Sequence, residues 1–71
     1  MRIAYDVQAD ALTLAFGEAE VEVSRELAPD LIVNLDRGGN VVALEILHAT
    51  QRIGRRGLRQ IAIDLQGLYS G

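Results

Sequence analysis

Asp30-Leu31-Ile32-Val33-Asn34-Leu35-Asp36-Arg37-Gly38-Gly39-Asn40-Val41-Val42-Ala43-Leu44-Glu45-Ile46-Leu47 is the stretch that decides the fold. Two apolar, β-branched runs flank Asp36–Asn40, and that pattern predicts a β-hairpin. Arg37-Gly38-Gly39 suits a three-residue loop, a type I turn closed by a residue in the left-handed region. Gly39 is the natural occupant, because a β-carbon is penalised there. This register sets Asp36 opposite Asn40, Leu35 opposite Val41, Val33 opposite Ala43 and Ile32 opposite Leu44. Side chains alternate across a strand, which places Leu31, Val33, Leu35, Val41 and Ala43 on one face, with Glu45 at its end. Ile32, Asn34, Val42, Leu44 and Ile46 fall on the other. Both faces read as apolar, so the hairpin is expected at the centre of a sheet covered on both sides.

Outward from the hairpin, Arg2–Tyr5 and Ala11–Phe16 read as two further strands joined by Asp6-Val7-Gln8-Ala9-Asp10. An Asp at the start of such a turn accepts amide hydrogen bonds from residues two or three further on. In the second strand Leu12, Leu14 and Phe16 share a face, while Ala11, Thr13 and Ala15 leave the other one small. Glu20–Leu27 alternates with Val21, Val23 and Leu27 expected inward, Arg25 interrupting that row, and Glu20, Glu22, Ser24 and Glu26 outward. That charge suits a strand near an edge. Pro29 marks the connection to the hairpin.

A short helix is expected to begin over His48–Ile53, where Gly54 and Gly57 argue against a long one. Gln60–Leu65 fits two periods: Ile61, Ile63 and Leu65 alternate, whereas Leu58, Ile61, Leu65 and Leu68 form a helical stripe. The isoleucines and flanking glycines favour a sixth strand. The expected architecture is therefore α+β and β-rich: an antiparallel, meander-like sheet of five or six strands with one short helix after the fifth. Residues 1–71 form a single domain, of which 54–71 is an arginine-rich extension.

A 71-residue chain sits near the size at which one hydrophobic core is marginal. It has no Cys, so disulfides and thiolate metal clusters cannot help, and oligomerisation is the remaining route to stability. The start of the chain lacks the apolar core of a signal sequence and no run reaches membrane-spanning length, so a cytoplasmic protein without membrane contacts is expected. Net charge is −3 but unevenly placed: residues 1–50 hold three arginines against nine acids, residues 51–71 four arginines against Asp64 alone. Every basic residue apart from His48 is arginine, which excludes lysine Schiff-base chemistry.

Two motifs stand in order along the chain: Tyr5-Asp6-x-x-Ala9-Asp10-Ala11-Leu12-x-Leu14, then Asn34-x-Asp36-x-x-Gly39-Asn40-Val41-Val42-x-Leu44-Glu45-Ile46-Leu47-x-Ala49-Thr50. With them the chain resembles the YuzE-like family of small bacterial proteins, a domain of unknown function, over roughly residues 1–53. It departs at Val7-Gln8, where Pro-Glu is common, at Thr13, often Tyr, and at His48, often Asp or Asn. The resemblance implies an antiparallel β-rich fold with a short helix and brings no catalytic residues to transfer.

Several polar groups are candidate ligand or partner contacts: Asp6, Asp10, Glu45, His48, Arg52, Arg55, Arg56 and Arg59. Asp6 and Asp10 are too few oxygens to hold a hard cation by themselves, and no metal or cofactor is assigned. Glu45-x-x-His48 has the spacing of di-iron helical bundles, but Glu45 lies on an expected strand. Ser24 and His48 lack a nucleophile-elbow context, and no catalytic residue is assigned. Gly54-Arg55-Arg56-Gly57 matches the backbone-clamping loop of KH domains, with Arg52 and Arg59 adding charge. Aromatic platforms are limited to Tyr5, Phe16 and Tyr69, so the favoured reading of the basic segment is pairing with Glu20, Glu22 and Glu26, even across a dimer. The leading expectation is a non-enzymatic homodimeric interaction module, open to a small protein partner. A nucleic-acid-binding or antitoxin-like regulator using Arg52–Arg59 comes second. A small enzyme built on Asp6, Asp10 and Glu45 comes last.

Overall fold

The computed structural model describes residues 1–61. Five strands form one antiparallel sheet: β1 Arg2–Asp6, β2 Ala11–Ala15, β3 Val23–Ala28, β4 Leu31–Leu35 and β5 Val41–Leu47, followed by the helix α1 Ala49–Arg52. Their spatial order is β1-β2-β5-β4-β3. The quoted hairpin supplies β4 and β5 and does hold the middle. β3 lies on one edge, as the charge of Glu20–Leu27 predicts, but it starts later than expected, at Val23, so Glu20 and Glu22 precede it. Two hairpin-scale units, β1-β2 and β3-β4-β5, meet along β2 and β5, where Leu12 faces Ile46 and Leu14 faces Leu44.

The hairpin tip follows the expected chemistry. Asp36 N donates to Asn40 O at 2.9 Å and Gly39 N to Asp36 O at 3.1 Å, and Gly39 takes φ +82°. The Asp36 carboxylate also accepts from the Gly38 and Asn40 amides, both at 2.9 Å. These amides hold its pKa below the ordinary value, the Asn40 contacts most strongly.

Beyond the tip the register differs from expectation. Leu35 faces Val41, but Asn34 faces Ala43, Val33 faces Leu44 and Ile32 faces Glu45. One residue of β5, Val42, is therefore left without a partner in β4. A bulge of this kind inserts one residue and re-sorts the strand beyond it. The expected grouping of Val33 with Ala43 and Glu45, and of Ile32 with Leu44, is thus corrected. One face of the sheet carries Ile3, Tyr5, Leu12, Leu14, Leu31, Val33, Leu44 and Ile46; the other carries Thr13, Ser24, Ile32, Asn34, Ala43 and Glu45. The first is apolar. The second is half polar, and Ser24 Oγ donates to Asn34 Oδ1 (2.7 Å) while Asn34 Nδ2 donates to Glu45 Oε2 (2.8 Å) across three strands.

The core is thin. Leu12, Val33, Val42, Ala43 and Ala49 are its buried hydrophobic residues among those described, and no large side chain is wholly enclosed. Val21, Val23 and Leu27, expected inward, are all exposed. A second bulge, at Leu27 opposite the Ile32–Leu31 step, turns that end of β3 out of phase.

After α1, Gly54 at φ +85° ends the helix in the left-handed conformation that favours glycine. Residues 55–61 are helical again. Gln60 and Ile61 are therefore helical rather than part of a sixth strand, and positions 62–65 of that expected strand lie outside the described residues. The Leu58–Ile61 spacing, read as one half of a helical stripe, prevails because the chain here lies over the sheet rather than beside it. Arg55, Leu58 and Arg59 line a cleft with Ile3, Tyr5 and Leu12 of the apolar face.

Candidate functional site

Among the described residues three non-glycine positions have positive φ: Asp10 (51°), Asp30 (67°) and His48 (51°). Asp and His are among the residue types that enter this region most readily, yet it remains unfavourable for them. All three stand at the same end of the sheet, in the β1–β2 turn, the β3–β4 turn and the β5–α1 junction.

Local chemistry explains each turn. Asp6 Oδ1 accepts from the Gln8 and Ala9 amides at 3.0 and 3.1 Å, the role expected of an Asp opening such a turn. Pro29 and Asp30 form the two-residue turn between β3 and β4. Proline presets the first position of such a turn, and positive φ is required at the second when it is of type II. His48 stands at the N-cap of α1 but makes no side-chain cap.

Hydrogen bonds then draw the three turns together. Asp10 O accepts from Ala49 N (2.9 Å) and Asp30 O from Leu47 N (2.8 Å), tying both turns to the last residues of β5 and the first of α1. The Asp10 carboxylate takes Tyr5 Oη–H at 2.5 Å, Thr50 N at 3.0 Å and Thr50 Oγ1 at 2.6 Å. The Thr50 hydroxyl, and after it Tyr5, holds the Asp10 pKa below the ordinary value. Reciprocally, the bond to Asp10 raises the Tyr5 phenol. The Asp30 carboxylate receives Arg52 Nε at 2.9 Å and His48 Nδ1 at 3.2 Å, and those two partners, Arg52 foremost, depress its pKa.

Of the candidate contacts, the corner gathers Asp10, His48 and Arg52. Asp6 is spent on its own turn. Glu45 is on the opposite face, bonded to Asn34, so Asp6, Asp10 and Glu45 do not assemble one pocket. Nor do Glu45 and His48 share a target, since His48 turns to Asp30. His48 takes its partner from 18 positions earlier in the chain rather than from the helix it starts. Ser24 and Thr50 spend their hydroxyls on Asn34 and Asp10, and neither bonds His48. Among the described residues no group of three or more His, Asp or Glu side chains could hold a metal ion.

The basic segment also lies differently from expectation. Arg52 pairs with Asp30, and no described ion pair joins Arg52, Arg55, Arg56 or Arg59 to Glu20, Glu22 or Glu26. Both glycines of Gly54-x-x-Gly57 have local explanations. Gly54 supplies a positive φ, and a β-carbon on Gly57 would come within 2.5 Å of Ile53 Cγ2. Arg55 and Arg59 reach the cleft of about 700 Å³ that also touches Val7, Asp10 and Thr50.

The two motifs thus close on each other. Tyr5 and Asp10 of the first meet Thr50 of the second, while Asn34 bonds Glu45 and Asp36 bonds Asn40. Residues 2–49 match the family described as "Protein of unknown function (DUF2283)". The chain belongs to that family. No curated protein and no solved structure matches it. In this DUF2283 chain the match stops one residue short of Thr50, so the carboxylate of the clasp lies inside the matched segment and its hydroxyl just outside. Tyr5, Asp30 and Thr50 were not among the candidate contacts. Tyr5 and Thr50 stood in the motifs, whereas nothing local marked Asp30 beyond its place after Pro29.

Proposed function

We propose that this DUF2283 chain is a small non-enzymatic interaction module that acts as a homodimer. The observation that carries the reading is the contrast between five buried hydrophobic residues and eight exposed large ones among the described residues. A core this small provides little stability on its own, and contiguous apolar surface on a soluble domain marks an association site. The second copy is assigned to the apolar face at the hairpin-tip end, where Phe16, Val41 and Val23 are 45%, 48% and 38% exposed. Phe16, just past β2, donates its amide to Val42 O, and Val23 and Val41 both flank Leu35, so the three with Leu35 follow one another from the end of β2 across β5 and β4 to β3. The polar motif residues support a non-enzymatic role, because their functional groups are engaged with one another.

A finer kinship, with YuzE-like proteins, rests on the two ordered motifs. A cytoplasmic location fits a chain without Cys in which no described helix is long and apolar enough to cross a membrane. A role as a nucleic-acid-binding or antitoxin-like regulator has less support, since Arg52 is held by Asp30 and the glycines serve the helices.

Light scattering coupled to size exclusion at low micromolar concentration tests the proposal. A dimer is expected, with F16D/V41D shifting it to monomer while leaving the fold intact. A clean monomer for the unaltered chain overturns it. Retarded migration of mixed DNA or RNA at low salt, lost in R55A/R56A/R59A, would favour the regulator instead.

A further inference from the structure

We infer that the cleft between the apolar sheet face and helical residues 55–61 is a binding site for a small amphipathic carboxylate, a free molecule with an apolar body and one anionic head. The cleft has a volume of about 700 Å³, within the usual range for small-molecule sites. Its walls are of two kinds. Ile3, Leu12 and Leu58 give it an apolar floor, and Arg55 and Arg59, one helical turn apart, line the same space. Both arginines are exposed and neither has an ion pair with a described residue. Two planar forks beside an apolar wall suit a carboxylate, which guanidinium groups bind bidentately.

Asp10 also touches the cleft, and its charge sets the orientation. Its oxygens already accept from Tyr5 and Thr50, so it offers a second anion no donor and repels it. The head of the ligand therefore points to Arg55 and Arg59, with the apolar body over Ile3 and Leu58 and away from Asp10. This site is separate from the Phe16–Val41 row assigned to a second copy, and binding here does not require the dimer.

Decanoate, decanol and acetate titrated into the full-length, ¹⁵N-labelled chain test the assignment, with decanoate kept in its monomeric range. Decanoate is expected to shift the amides of Ile3, Arg55, Leu58 and Arg59 most, and decanol and acetate to bind at least about ten-fold more weakly, as the loss of a charge-assisted contact or of the apolar contact implies. R55Q/R59Q should weaken decanoate by about ten-fold or more while its spectrum elsewhere stays unchanged. If that double variant is unfolded, R59Q alone should weaken binding in the same direction. Equal affinity for decanoate and decanol overturns the proposal. So do shifts centred on Phe16 and Val41, undiminished binding in the folded arginine variant, or response only to anionic phospholipid vesicles and not to free decanoate. No response to decanoate overturns it as well. The dimer reading is judged separately, by light scattering without ligand.

Discussion

The two ends of the sheet are built on opposite plans. At the α1 end, three turns in unfavourable backbone conformations are held by a mesh of hydrogen bonds spanning up to 40 residues of chain. At the hairpin-tip end the turn itself is held by a local mesh, Asp36 with the loop it closes, and apolar side chains around it are left in solvent. One end has its polar chemistry satisfied internally; the other has apolar surface still to be covered. That difference assigns order to the first end and association to the second.

The largest test of the comparison is a pair of truncations on one strand. Leu12, 3% exposed and next to the clasp, should cost about 2–5 kcal/mol as L12A. Phe16 at the open end should cost well under that as F16A in dilute, monomeric conditions, read by urea denaturation. Equal losses would mean that the open end is as well packed as the other. A step smaller is G57A. Its new methyl meets Ile53 Cγ2 and should cost about 1–3 kcal/mol, whereas G39A, in open space but at φ +82°, should cost about 1–2 kcal/mol from backbone strain alone.

The finest test is pH. Asp10 and Asp30 at one end and Asp36 at the other all have depressed pKa values. A carboxylate of that kind binds fewer protons in the folded state than in the unfolded one. The stability it adds is therefore full above the ordinary Asp value, about 3.9, and disappears as pH falls through the lower folded value. Thermal melts should decline over that acidic window, and T50V should shrink the decline by removing the largest contributor at Asp10. A decline unchanged in T50V would disconnect Thr50 from the carboxylate. In the same clasp, Tyr5 should titrate above the usual phenol value of about 10, and D10N should bring it back, as followed by ultraviolet absorbance.

How much of this was legible in the sequence depends on the range of the interaction. Asp6 bonds amides within three residues, so a turn signal alone placed its role, and the same signal set Asp36 opposite Asn40 without showing that its carboxylate holds the loop amides. The five strands followed from alternation and from Pro29 and Gly39. Val42 gave no signal: two adjacent valines look alike, and only the pairing with β4 reveals which is supernumerary. That single residue moved Glu45 and Ala43 to the face of Asn34 and made one face polar. The Asp10–Thr50 contact was hidden because both residues have ordinary local uses. Residues 58–61 carried helical and strand periods together, and the lie of the chain over the sheet decided between them.

The link from Gly17 to Glu22 has a topological corollary. It is exposed throughout and carries no strand, and it is all that joins the β1-β2 unit to the rest in covalent terms. If that tether reached to a neighbour, the first hairpin of one molecule would zip onto β5 of the other with every bond intact, Asp10 to Thr50 included. An intertwined pair of this kind requires no surface that the single chain lacks. Cutting the link, conversely, should leave two fragments able to reconstitute one another.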